Sequence, residues 1–246
     1  MTKIDIISGF LGAGKTTLIK KLIEEAFTGE KLVLIENEFG EIGIDGGFLK
    51  DSGINITEMN SGCICCSLVG DFGTALAEVL EKYAPDRIII EPSGVGKLSD
   101  VIKAVLGVKE KVAEDSVVLN SFTTVADATK CKMYMKNFGE FYNNQVEHAG
   151  TIVLSRTGNM KEDKLQACID LIRTQNAEAS IITTPWDQIN GKQILDAMEK
   201  KNDLVKELLE EEDVCPECGH HHEHGADCDH DHDHDHHHDH DHEHHH

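Results

Sequence analysis

Short runs of apolar residues, bounded by glycine, proline or charge, alternate along this chain with longer stretches in which apolar residues recur every three or four positions. The runs near 3–8, 31–36, 54–58, 86–91, 116–125, 150–155 and 178–183 have strand length. Several, such as Ile88-Ile89-Ile90, are apolar at consecutive positions rather than at alternate ones. A strand that is apolar on both sides is buried on both faces. The helical period near 14–27, 68–83, 97–107, 128–147, 161–174 and 190–212 predicts the elements that cover those faces. The expectation is an α/β fold: a mostly parallel sheet with helices on both faces. Ligands of such sheets bind beyond the carboxyl ends of the strands.

The pattern stops after Glu212, which divides the chain into a folded domain over 1–212 and a tail over 213–246. The tail is almost devoid of apolar residues, so burial cannot offset the entropy of ordering it, and it is expected to be disordered without metal. Residues 215–246 hold ten acidic residues and no Lys or Arg; of the net charge of −22, ten negative charges therefore belong to that segment and twelve to the rest. No cluster of basic residues is present to neutralise phosphates, so nucleic acid is not an expected partner. No stretch of about 18 apolar residues occurs, and the apolar run at Ile4 leads straight into a glycine-rich loop rather than a cleavage site. The expectation is a cytoplasmic chain without a membrane span, whose eight cysteines stay reduced, so that the closely spaced ones bind metal or act as redox groups rather than form structural disulfides.

Gly9-Phe10-Leu11-Gly12-Ala13-Gly14-Lys15-Thr16 follows an apolar strand and opens a helical run at Thr17. This is the spacing and context of a phosphate cradle, in which backbone N–H groups and the positive end of a helix face phosphate oxygens. The residues Gly9, Gly12, Ala13, Gly14, Lys15, Thr16 and Thr17 are therefore expected to bind nucleotide, and the fold class becomes a P-loop NTPase. Lys15 would reach the β- and γ-phosphates, and the Thr16 hydroxyl would hold Mg²⁺. At the end of the run Ile88-Ile89-Ile90, Glu91 is expected either to complete the Mg²⁺ shell or to orient the attacking water. Gly94 would offer its N–H to the γ-phosphate.

A second chemistry lies in Cys63-Ile64-Cys65-Cys66, three thiols in four positions. Three thiolates meet the preference of Zn²⁺ for soft and borderline ligands and leave a fourth position open, which suits hand-over better than storage. Glu36 or Glu41 is a candidate oxygen ligand. In the tail, Cys215, Cys218 and Cys228 with His220, His221 and His222 form a candidate metal site, and the remaining histidines form many exchanging ones. Of the sixteen histidines only His148 precedes the tail, and it is expected to be structural, as are Cys131 and Cys168.

The motifs just described, with Glu36-Asn37-Glu38-Phe39-Gly40-Glu41-Ile42-Gly43-Ile44-Asp45 and Glu91-Pro92-Ser93-Gly94, together resemble the CobW-type metallochaperone GTPases, relatives of the nickel chaperones HypB and UreG. They occur in the family's order and cover roughly residues 1–200. The resemblance implies a GTPase that binds zinc, or cobalt or nickel, and delivers it to a client metalloprotein; a homodimer is compatible with it. Where the family reads guanine with Asn-Lys-x-Asp, this chain has Ser155-Arg156-Thr157-Gly158-Asn159 after the strand Thr151-Ile152-Val153-Leu154. Gly158 replaces the carboxylate, so Ser155, Arg156 and Asn159 are the candidate base-binding residues, with ATP open beside GTP. Many members carry a further C-terminal domain, where this chain passes into the ligand-rich tail. The functional expectation is a GTP-hydrolysing metallochaperone whose tail is a reservoir. The alternatives are a metal buffer with a regulatory nucleotide domain and an ordinary phosphate-loop kinase or ATPase.

Overall fold

Seven strands carry the buried apolar runs: β1 (Thr2–Gly9), β2 (Leu32–Glu36), β3 (Thr57–Asn60), β4 (Arg87–Glu91), β5 (Val117–Asp127), β6 (Thr151–Ser155) and β7 (Ser180–Ile182). They form one sheet in the order β3-β2-β4-β1-β5-β6-β7, and every pairing is parallel. The computed structural model describes residues 1–36, 57–60, 69–109, 112 and 116–200. All of these belong to one compact unit, Met1–Val205.

Because successive side chains of a strand point to opposite faces, the consecutive isoleucines of β4 serve two cores. Ile88 and Ile90 pack with Ile4, Ile6, Val33, Ile35, Ile152 and Leu154, whereas Ile89 packs with Ile7, Leu32, Leu34, Val125 and Val153. The first face is covered by α2 (Val69–Tyr83), α3 (Leu98–Lys109), α4 (Cys131–Asn137), α5 (Gly139–Glu147) and α6 (Glu162–Arg173). The second is covered by α1 (Lys15–Glu25), through Leu18, Ile19, Leu22 and Ile23, and by Ile194 and Met198 of the helical residues 191–200. Among the described residues no helix is long and apolar enough to cross a membrane.

One predicted element is two. The helical period over 128–147 resolves into α4 and α5, because Phe138 leaves helical geometry with φ −132° and ψ 32°. It closes both ends itself: its N–H donates to the Tyr134 carbonyl at 2.8 Å, and its own carbonyl accepts from Tyr142 N–H at 2.9 Å. The break lets Phe138, Tyr134 and Tyr142 gather around Phe10, with ring centroids 5.0, 4.6 and 6.0 Å away. Phe10 is thereby the apolar anchor of the loop that follows β1. Strand β5 runs two residues beyond its predicted end, to Asp127, and β3 reaches Asn60, past the predicted 54–58.

A polar cluster ties the sheet to its flanks. Asp5, fully buried in β1, accepts from Arg87 Nη1, from Asn120 Nδ2 at 2.8 Å and from the Ser121 hydroxyl. Arg87 also donates from Nε to Glu30 at 2.6 Å and from Nη2 to Glu199 at 3.3 Å, while its guanidinium lies over the Phe27 ring at 4.4 Å. Asp5 sits where the β1–β5 register shifts, so the irregularity in the ladder coincides with the buried charge.

Candidate functional site

The carboxyl ends of β1, β2 and β4 meet at the start of α1. Beyond β1 the chain turns through Gly9 to Gly14, and Gly14, with φ 108°, lies in the left-handed region that favours glycine. No side chain caps α1, so the first N–H groups of the helix face the concavity that the turn creates. Lys15 is buried, and its Nζ lies 4.0 Å from Glu91 Oε1. The Thr16 hydroxyl donates to Glu91 Oε1 at 3.0 Å, with Oε2 at 3.3 Å. The structure thus brings together Lys15, Thr16 and Glu91, from sequence motifs 75 positions apart.

The loop after β4 presses on the turn. A Cβ on Gly94 would stand 2.8 Å from the Leu11 backbone nitrogen and from its side chain, so any other residue there would lift the loop away from the cradle. Gln145, fully buried in α5, holds the loop in place by donating its amide to the carbonyls of Gly94 at 3.1 Å and Gly96 at 2.8 Å. Sequence reasoning does not single out Gln145, whose only local signal is a polar residue on the apolar side of a helix.

Glu36 ends β2, is buried, and stands in register with Glu91 of β4 and Asn60 of β3. Two strand ends therefore place carboxylate residues at neighbouring positions of the sheet, and Glu91 is the one that lies 4.0 Å from Lys15. The motif Cys63-Ile64-Cys65-Cys66 begins three residues after β3 ends. Cys63, Cys65 and Cys66 lie outside the described residues, as do Glu41 and the rest of the segment 37–56. So do Cys215, Cys218, Cys228, His220, His221 and His222. Among the described residues no group of three or more His, Cys, Asp or Glu is arranged to hold a metal ion.

A cleft of about 350 Å³ opens beside the first turn of α1, between the loop after β6 and the loop after β7. Gly14, Thr17, Ser155, Arg156, Trp186 and Asp187 line it. Arg156, with φ 61°, donates from Nη2 to the Gly12 carbonyl at 3.0 Å and pairs through Nη1 with Asp127 Oδ2 at 3.1 Å. It bridges the phosphate loop to the end of β5, where Asp127 is buried in register with Ser155. Trp186 donates its indole N–H to the Leu154 carbonyl at 3.0 Å. Asn159 does not share this lining; it lies on a separate pocket of about 540 Å³ together with Cys131 and Cys168. Asp127, Trp186 and Asp187 belong to no spaced motif, so nothing along the chain marks them.

Cys131 and Cys168 are both buried, as expected of core residues, but they are also hydrogen-bonded neighbours. The hydrogen bond with Cys131 and burial push the Cys168 thiol up. His148 is exposed at the end of α5, with Nδ1 3.1 Å from the Asn144 carbonyl.

The chain is 29% identical over 191 residues to the zinc chaperone YeiR of Escherichia coli K12, covering 78% of this chain and 57% of that protein. It is 33% identical over 197 residues to the zinc chaperone CobW of a Sinorhizobium species, covering 70% and 55%. The chain thus spans little more than half the length of these relatives. Among solved structures, the Zn(II)-bound YjiA GTPase of E. coli shares the fold with a TM-score of 0.55 at 24% identity, covering 78% of this chain and 62% of that one. Residues 3–183 match the CobW/HypB/UreG nucleotide-binding domain, and the chain belongs to that family.

Proposed function

We propose that this chain is a GTP-hydrolysing metallochaperone whose cargo is zinc, taken at Cys63, Cys65 and Cys66 and passed to a client metalloprotein. The observation that carries the reading is the convergence of Lys15, Thr16 and Glu91 at the head of α1, with Glu36 on the adjoining strand end. The relatives described as zinc chaperones support the choice of cargo.

The residues have the chemistry of a triphosphate site. Lys15 supplies a positive charge to the β- and γ-phosphates, and the N–H groups of the turn supply the remaining donors. The Thr16 hydroxyl and Glu91 carboxylate are two oxygen donors within hydrogen-bond distance of each other, a set that fits Mg²⁺. When bound there, the ion would neutralise charge developing on the phosphates. Glu91 orients a water for attack on the γ-phosphorus. That attack forms the new P–O bond as the bond to the bridging oxygen breaks, giving GDP and phosphate. Gly94, held against the turn, would offer its N–H to the γ-phosphate and lose that bond on hydrolysis.

The strand ends link that event to the cargo. Glu36 and Glu91 are neighbours in the sheet, and β3, paired to β2, leads into the thiols. The coupling we propose runs from Glu91 across β2 to β3, the strand that precedes the thiols in the sequence. The tail serves as a reservoir, since its histidines are many and its ligands of mixed type.

Cys65→Ser in a chain ending at Glu212 provides the direct test. Loss of a ligating thiolate should weaken Zn²⁺ binding by at least about 10²-fold, because even outer-shell partners of a metal cost up to that much. Equal stoichiometry and affinity in the variant, measured by competition with a chelating dye, would mean that zinc is held elsewhere.

A further inference from the structure

A guanine-reading site needs an acceptor pair for the N1–H and N2–H₂ donors of the base, and the loop after β6 offers none: Ser155-Arg156-Thr157-Gly158 carries no carboxylate. Arg156 is already engaged with Gly12 and Asp127. The cleft beside α1 nevertheless has the marks of a ligand site. Ser155 Oγ and Thr157 Oγ1 are buried, line it or its wall, and find no hydrogen-bond partner among the described residues. Buried hydroxyls left this way point to a ligand or water that completes them.

The opposite wall supplies what the β6 loop lacks. Asp187 is the one acidic side chain among the described residues lining the cleft. Its loop is held there by Trp186, whose indole N–H is fixed on Leu154 and whose ring lies 3.2 Å from where a Gly14 Cβ would stand. Glycine at 14 leaves the room that the indole uses. The two loops also touch at the position that lacks the acid: a Cβ on Gly158 would meet Pro185 at 3.6 Å, two residues before Asp187. The carboxylate absent at 158 thus reappears across that contact, on the neighbouring loop.

We propose that Asp187 is the guanine-reading carboxylate of this chain, accepting from N1–H and N2–H₂ of the base while Trp186 walls the cleft. The inference rests on the reading of the site as one for GTP. Adenine presents a lone pair at N1 and has no amine at C2, so it leaves the carboxylate unpaired and facing like charge density. Sites built to hydrogen-bond a substrate group reject an analogue lacking it far more strongly than apolar pockets do.

The test titrates GTP, XTP and ATP against the full chain and its Asp187→Ala, Asp187→Asn and Asp187→Ala/Gly158→Asp variants. Asp187 is exposed, so the fold tolerates each change at that position, and a melting curve checks the double variant. The unaltered chain should prefer GTP to ATP by at least about 10²-fold. Asp187→Ala should lose most of that preference by weakening GTP and sparing ATP. Asp187→Asn should shift preference toward XTP, because its amide donates to the xanthine carbonyl at C2, and Gly158→Asp should restore GTP binding to the alanine variant. An unaltered chain with no GTP preference would refute the GTP reading and this assignment together. A GTP preference that survives Asp187→Ala would refute the assignment alone.

Discussion

Replacing Lys15 with alanine should lower GTP hydrolysis by about 10³-fold or more, the scale on which one positioned cation acts in phosphoryl transfer. Lys15 is buried beside Glu91, so its charge works where little water screens it. Lys15 is the first residue of α1, where alanine keeps the helix-forming propensity of the turn. The variant should therefore stay folded by circular dichroism while losing single-turnover hydrolysis and most of its affinity for the triphosphate. A turnover within tenfold of the parent chain would mean that the turn after β1 is not a phosphate cradle.

Arg87→Ala should cost about 3–5 kcal/mol of stability, the penalty for stranding a buried partner without its counter-charge. The partner is Asp5, fully buried in β1, the strand that leads into the phosphate loop and pairs with β4. Burial alone disfavours the charged guanidinium. The hydrogen bonds to Glu30, with the charge and hydrogen bond of Asp5, outweigh that and hold its pKa above the ordinary arginine range. For a unit of this size the loss corresponds to a fall in Tm of roughly 6–20 °C. Replacing both partners by apolar residues, Asp5→Leu with Arg87→Met, should cost less than the single alanine change, because no fully buried charge is then stranded and Glu30 and Glu199, which also lose Arg87, are partly exposed. Urea denaturation of the three proteins measures this; an Arg87→Ala variant within about 1 kcal/mol of the parent would show that water reaches Asp5.

The surroundings of Arg87 mark the limit of what a linear sequence reveals. Runs such as Arg87-Ile88-Ile89-Ile90-Glu91 announce a strand buried on both faces, and the phosphate cradle is spelled by its spacing, so both are legible along the chain. The contacts Arg87 makes with Asp5, Glu30 and Glu199 join residues as much as 112 positions apart. No period or spacing marks such pairs; only the sheet order, which places β4 beside β1, brings them together. The same holds for Gln145 under the loop at Gly94, and for Cys131 against Cys168. Each looks solitary in sequence.

Two element boundaries depart from the sequence pattern for local reasons. The apolar period through 128–147 is continuous because Phe138 is itself apolar, and its departure from helical geometry serves Phe10 rather than the helix pattern. Strand β5 outruns its apolar pattern because Asp127, a residue type typical of turns, is buried at its end. That burial is supported by hydrogen bonds from the Thr129 N–H at 3.0 Å and the Thr129 hydroxyl at 2.6 Å, and by the ion pair with Arg156. The departure at Gly158 is legible as a missing acid, but its counterpart at Asp187 is not, since the two lie on different loops.

The thiol site and the nucleotide site are proposed to share a free energy, through strand ends that stand side by side at Glu36 and Glu91. The decisive quantity is the Zn²⁺ affinity of the chain ending at Glu212, with Mg²⁺ present, loaded in turn with a nonhydrolysable GTP analogue and with GDP. The two affinities should differ by about tenfold, within the usual range of coupling between two sites. Identical affinities in the two loaded forms and in the nucleotide-free chain would contradict the coupling.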